Sequence, residues 1–277
     1  MLLVRPRVGD TLRLQMEQTI EVSSRPVIAV RQGAPVLDGT RTSPMQQTAQ
    51  SSDVGPRRNL TGMRITRLLL YAHSLVESSD LRVTSLLATT DSMSMWAGTP
   101  GDMREPTSLP LPLEGRQVRV RVTPDGAMRV SDPPPGAMEL GATLASMPGL
   151  LPPDVVRVGD RWERDIALPS VPLSGYRADG TLHARFRFDS LTQRGRNAWI
   201  SLEGSLRRDG NARELPAGTR VLTSGTLRGT LLVDRQRAWI VDALTIMDVQ
   251  SEVTPTAGST TAATVLDMRI EQRIRAR

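Results

Sequence analysis

The chain reads as a mainly β protein: an antiparallel curved sheet or β-sandwich built from two halves, with one short helix and long polar loops. Three observations predict this. Apolar residues recur with period two rather than about 3.6, turn-forming residues separate the alternating runs, and Arg7-Val8-Gly9-Asp10 returns as Arg157-Val158-Gly159-Asp160.

The first strand spans Asp10 to Val22. Leu12, Leu14, Met16, Gln18, Ile20 and Val22 share one parity, while Thr11, Arg13, Gln15, Glu17, Thr19 and Glu21 share the other. Successive Cβ atoms of a strand point to opposite faces, so one set is buried and the other wet. That half-wet pattern implies antiparallel pairing. Met63, Ile65, Leu69, Tyr71 and Leu75 continue on one parity, with Leu68 and Leu70 adding apolar mass to the other face. After a turn at Ser78-Ser79-Asp80, Leu81, Val83 and Leu87 follow. Val118, Val120 and Val122 turn at Pro124-Asp125-Gly126 into Met128 and Val130, a hairpin with matching turn chemistry.

The second half repeats the pattern. Leu182, Ala184, Phe186 and Phe188 alternate with His183, Arg185, Arg187 and Asp189, then return through Arg194-Gly195-Arg196 to Ala198, Ile200, Leu202 and Leu206. Thr219–Val233 and Ala238–Val249 form a pair closed at Asp234–Arg237, and Leu266, Met268, Ile270 and Ile274 form the last strand. The single helical stretch, near 137–146, lies between Pro135-Gly136 and Pro148-Gly149. Polar connections occupy Gln32–Asn59, Ala97–Gly115 and Glu252–Thr261. The first exceeds about 15 residues and predicts either disorder or a segment that orders on a partner. The organisation expected is one β-rich domain over 1–277, with halves at about 1–135 and 150–277, each opened by the Val-Gly-Asp turn. Two separate β domains are the alternative.

Composition excludes several function classes. The 277 residues contain no cysteine and two histidines, His73 and His183, which removes disulfides, thiol nucleophiles and zinc-thiolate centres. The net charge is +6, and all 35 basic residues are arginine. These arginines alternate with apolar residues, and aromatics make up only 3% of the chain, which argues against stacking platforms and against nucleic acid as a partner. No apolar run approaches the roughly 20 residues of a membrane-crossing helix.

No nucleophile elbow, dinucleotide fingerprint or calcium loop occurs. Asp160, Glu163 and Asp165 cluster in sequence, but acids two apart on a strand form a wet face. The expectation is therefore no catalytic residue, no cofactor and no metal: a protein that is not an enzyme. Trp162, Trp199 and Trp239 fall within strands, and the opposed parity of Trp199 against Ile200 and Trp239 against Ile240 predicts apolar mass on both faces there.

Val8-Gly9-Asp10 before the first strand, the middle Val122-Thr123-Pro124-Asp125-Gly126, and Leu151–Trp162 with its Val158-Gly159-Asp160-Arg161-Trp162 end occur in that order. In these motifs the chain resembles a family of bacterial β-rich proteins exported to the cell envelope. The resemblance implies an envelope location on the periplasmic side and no activity or catalytic residue. By fold analogy the chain is also similar to the curved sheets of lipoprotein carriers. Met1–Pro6 carries no basic segment followed by an apolar core, so no signal peptide is expected in this stretch. That leaves a cytoplasmic location, or a start downstream of a removed leader, as alternatives.

Two functions are expected to compete. In the first, the chain is an accessory subunit docking on a larger, membrane-associated assembly. It would use Val36, Leu37, Met45, Val54, Met93, Met95 and Trp96 as contacts and Arg119, Arg121, Arg185 and Arg187 as a basic face. In the second, it carries a hydrophobic, lipid-like ligand on a concave face. The long loops favour the first, and so does the arginine that recurs in nearly every strand.

Overall fold

The computed structural model describes residues 2–27, 61–103, 117–131, 149–152, 154–168, 180–211, 219–255 and 262–276. The strands are β1 (Thr11–Pro26), β2 (Thr61–Ser79), β3 (Thr84–Thr99), β4 (Asp102–Met103), β5 (Gln117–Val122) and β6 (Met128–Val130). They continue with β7 (Arg161–Leu168), β8 (Gly180–Thr192), β9 (Asn197–Asn211), β10 (Arg220–Asp234), β11 (Trp239–Thr254) and β12 (Thr264–Ala276). All belong to one antiparallel sheet in the order β6-β5-β3-β2-β1-β12-β11-β10-β9-β8-β7, with β4 on β3. A single curved sheet replaces the sandwich. The first and last strands pair at its centre, as in Met16↔Ile274 and Ile20↔Ile270, so the two halves share one ladder. The helix expected near 137–146 lies outside the described residues.

The sheet curves because its inner face is thinned at chosen points. A Cβ on Gly229 would stand 2.3 Å from the Leu244 carbonyl oxygen, and one on Gly225 would stand 2.6 Å from that of Asp248. Glycine at these positions lets β10 bend against β11, as glycine does at the corners of strongly coiled sheets. Single-residue bulges add twist: Asp91 is skipped between Tyr71↔Ser92 and Ala72↔Thr90, and Val241 between Leu232↔Asp242 and Val233↔Ile240.

The two ends of the sheet differ. At one end lie the tight turns after β2, β5, β8 and β10, together with the chain's N-terminal segment. The Val4 N–H donates to the Pro124 carbonyl and the Arg5 N–H to the Ala238 carbonyl, both at 2.8 Å, so this segment spans two turns. Leu2 and Val4 are 2% exposed and complete a core with Val76, Leu86, Val122, Leu151, Phe186, Ile200, Leu231 and Val233. Phe186 stacks on Trp162 with centroids 5.4 Å apart.

The edge strands β6 and β7 do not pair with each other, and residues 149–151 bridge them at the turn end. Leu150 and Leu151 donate their N–H groups to the Asp125 carbonyl at 2.9 Å, while Trp162 Nε1 and Arg164 Nη2 donate to the carbonyls of Leu150 and Leu151. This bridge covers strand edges that would otherwise invite another chain.

The repeated Val-Gly-Asp strings adopt one geometry. Gly9 and Gly159 have φ of +86° and +98°. Asp10 and Asp160 each accept the N–H three residues back, at 3.0 and 2.7 Å. Each turn then pairs with the neighbouring strand, Gly9 and Asp10 with Val76, Gly159 and Asp160 with Phe188. A left-handed third position followed by a self-capping aspartate explains why this string launches a strand twice.

Three strand readings are corrected. On β2 the core-facing residues are Leu70 and Val76, whereas Leu75 is 42% exposed. The pairing Met16↔Leu70 sets that face. Met93 and Met95, expected as partner contacts, lie on β3, which runs through to Thr99 and takes in the start of the polar connection expected from Ala97. Trp239 is 7% exposed and packs in the core, and Ile240 packs on the same core, because the Val241 bulge breaks the alternation.

Candidate functional site

The register places nearly every charge on the convex face and leaves the concave face apolar. One inner row runs from Phe188 through Ile200, Leu231, Ala243, Ile274 and Met16 to Leu70 and Met93. The next row contains Leu202, Gly229, Thr245, Gln272, Gln18, Leu68 and Met95, and the one above it Leu227, Met247, Ile270 and Ile20. Thr245, Gln18 and Gln272 are the polar members of these rows, and Gln272 Nε2 lies 3.2 Å from Met16 Sδ. Toward the end opposite the tight turns, burial falls. Val22, Ile20, Met247, Met268 and Ile270 are only partly buried, whereas Ile200 and Val233 are fully buried. The sheet is a cup, filled at the turn end and apolar but open above.

Arginine does not interrupt this face strand by strand, contrary to the sequence expectation. Period two sends Arg13, Arg121, Arg185, Arg207, Arg228 and Arg269 outward. Much of the outer charge is paired across strands: Arg269–Asp248 at 3.1 Å, Arg273–Asp242 at 2.8 Å, Arg25–Asp267 at 3.2 Å and Arg119–Glu77 at 2.9 Å. Exposed pairs of this kind add little stability. The Arg119 guanidinium holds the Glu77 carboxyl below its ordinary value.

Asp234 is the exception to exposure, at 3%. Burial pushes its pKa up, but the Arg196 guanidinium and the N–H groups of Arg237 and Gln236 outweigh that and keep it below the usual carboxylate range. It caps the β10–β11 turn.

The contact residues expected from sequence separate. Val36, Leu37, Met45 and Val54 lie outside the described residues. Met93 is 7% exposed and packs with Met16 and Leu70, Met95 faces inward above it, and Trp96 takes the outward parity beside Arg67. Arg119 and Arg121 stand on β5, and Arg185 and Arg187 on β8, near opposite ends of the strand order. The structure therefore does not gather them into one patch.

Both histidines are on the convex face, each sharing a 2.6 Å hydrogen bond with an aspartate: His73 with Asp91 and His183 with Asp165. All four side chains are exposed, and in the register Thr89 lies opposite His73 and Ser205 opposite His183. Among the described residues no group of three His, Asp or Glu side chains is placed to hold a metal. An open depression of about 570 Å³ touches Val22, Gly225, Val249 and Met268 near the open end. Three acidic residues also line it, Glu21, Asp248 and Asp267, of which Asp248 and Asp267 are ion-paired to Arg269 and Arg25.

No family model matches the chain, and no curated protein matches it. A solved structure, "Crystal Structure of Pseudomonas aeruginosa OccK11 (OpdR)", aligns at 7% identity over 100% of this chain and 98% of that chain, with a TM-score of 0.19. That score is too low to support a conclusion about fold or function. Among the described residues no helix is long and apolar enough to cross a membrane.

Proposed function

We propose that the chain is a non-catalytic binding protein whose concave face holds an apolar, lipid-like ligand, working in the cell envelope. The observation that supports this is the half-open apolar surface formed by Ile20, Met247, Ile270 and Met268, continuous across β1, β12 and β11. Large exposed apolar surfaces mark binding sites in folded proteins, and open sheets with one apolar face commonly take ligands there. The accessory-subunit reading retains one specific support: Trp199 and Leu75, at 38% and 42% exposure, stand on the convex face. The finer organisation into two halves, each opened by a Val-Gly-Asp turn, belongs to the same proposal, as does the periplasmic placement suggested by the motif resemblance.

Titration of the full chain with a neutral long-chain alcohol should show saturable binding. Met247→Glu should weaken it by at least about tenfold, since a carboxylate on the floor must be desolvated by the ligand. Ile246→Glu, one residue away on the opposite face, should leave it unchanged. Equal loss in both variants, or recovery of a protein partner without lipid from gently solubilised membranes, would favour the accessory reading.

A further inference from the structure

We infer that the ligand is a long-chain carboxylate, seated with its chain on the concave floor and its headgroup at Arg64. This rests on the concave-face reading above and adds the chemistry of the ligand. On the eleven strands of the main order the inner parity carries no aspartate or glutamate. The one described carboxylate on that parity is Asp102 on the two-residue β4, paired with the inward Thr99 at the same end as Arg64, and the other described carboxylates fall on the convex face, in turns or at bulges. Three arginines share the inner parity. Arg164 is engaged at the seam, donating to the Leu151 carbonyl at 2.8 Å and lying 3.8 Å from Asp125. The other two stand near the open end: Arg64 on β2, opposite Val22, and Arg208 on β9, opposite Thr223.

The mouth of the concave face thus carries two arginines against one described acidic side chain, Asp102, an excess of positive charge that complements an anion above an apolar tail. A guanidinium presents a planar pair of donors that matches a carboxylate bidentately. Length agrees as well. From the buried Leu70 to the exposed Arg64 is six residues of strand, about 20 Å, the span of an extended chain of roughly sixteen carbons.

The test uses the full chain, stripped of lipid, titrated with oleate and with oleyl alcohol, which share a tail and differ in head charge. Oleate should bind about tenfold more tightly, as a charge-assisted hydrogen bond at the mouth allows. Arg64→Gln should remove most of that preference while leaving the affinity for the alcohol unchanged. Equal affinities for the two ligands in the unaltered chain, or an equal loss of both in Arg64→Gln, would overturn the headgroup assignment and leave the concave face as the binder. Failure of both ligands to bind would overturn the concave-face reading and this assignment with it.

Discussion

Replacing Phe186 by alanine should lower unfolding stability by about 3–5 kcal/mol, read as a shift in the urea midpoint at unchanged slope. Phe186 is 1% exposed and is among the largest fully buried side chains. It packs face to face with Trp162. Truncation removes the transfer energy of the ring and leaves a cavity between β7 and β9 that a continuous ladder on both sides cannot collapse. Arg185→Ala, adjacent on the same strand but outward, should stay within about 0.5 kcal/mol of the unaltered chain. A similar small effect from Phe186→Ala would mean that the core does not sit at the turn end.

Gly229→Ala should cost about 3 kcal/mol, against the modest gain that losing a glycine normally brings through the unfolded chain. The added methyl would stand 2.3 Å from the Leu244 carbonyl oxygen, and its next neighbour is the Thr245 Cα at 3.2 Å. Both obstacles are backbone, so β10 and β11 must separate or flatten rather than a side chain turn aside. Gly9 is the opposite case: a Cβ there meets nothing within 4 Å, and its φ of +86° is what favours glycine. Steric cost and backbone conformation are therefore separable within one chain. A neutral Gly229→Ala, measured by denaturant unfolding, would contradict the account of the sheet's curvature.

Much of the fold is legible in the sequence because alternation is a local signal. Leu182–Phe188 and Ala198–Leu206 name their strands and their inner face directly. Asp234–Arg237 names its turn, because Asp234 accepts the N–H groups of Gln236 and Arg237. Alternation is silent on which strand lies beside which. The β1–β12 pairing joins residues about as distant as the chain allows, and no local rule selects it over two separate halves. Bulges defeat the pattern in a second way. At Asp91 and Val241 one extra residue shifts parity, so Trp239 and Ile240 both reach the core despite being neighbours.

The candidate site was obscured by the same arithmetic. Counting arginines per strand suggested a charged surface everywhere, yet parity alone assigns Arg185 outward and Ala184 inward. The continuous concave floor appears only once rows are followed across the register. The signal available beforehand was the consistency of parity from strand to strand: in β1, β8 and β12 the apolar set carries no formal charge.

The most direct test of the concave-face account is a set of intermolecular nuclear Overhauser contacts between the protons of bound oleyl alcohol and methyl-labelled full-length chain. Met247 and Ile246 are neighbours on β11 with opposite parity, and on the same pair of strands Ile270 faces inward while Leu244 faces outward. Contacts from the ligand's chain to the methyls of Met247, Met268 and Ile270, with none to Ile246 or Leu244, are the result expected. Contacts to Ile246 and Leu244, or a bound ligand that touches none of the concave methyls, would contradict it.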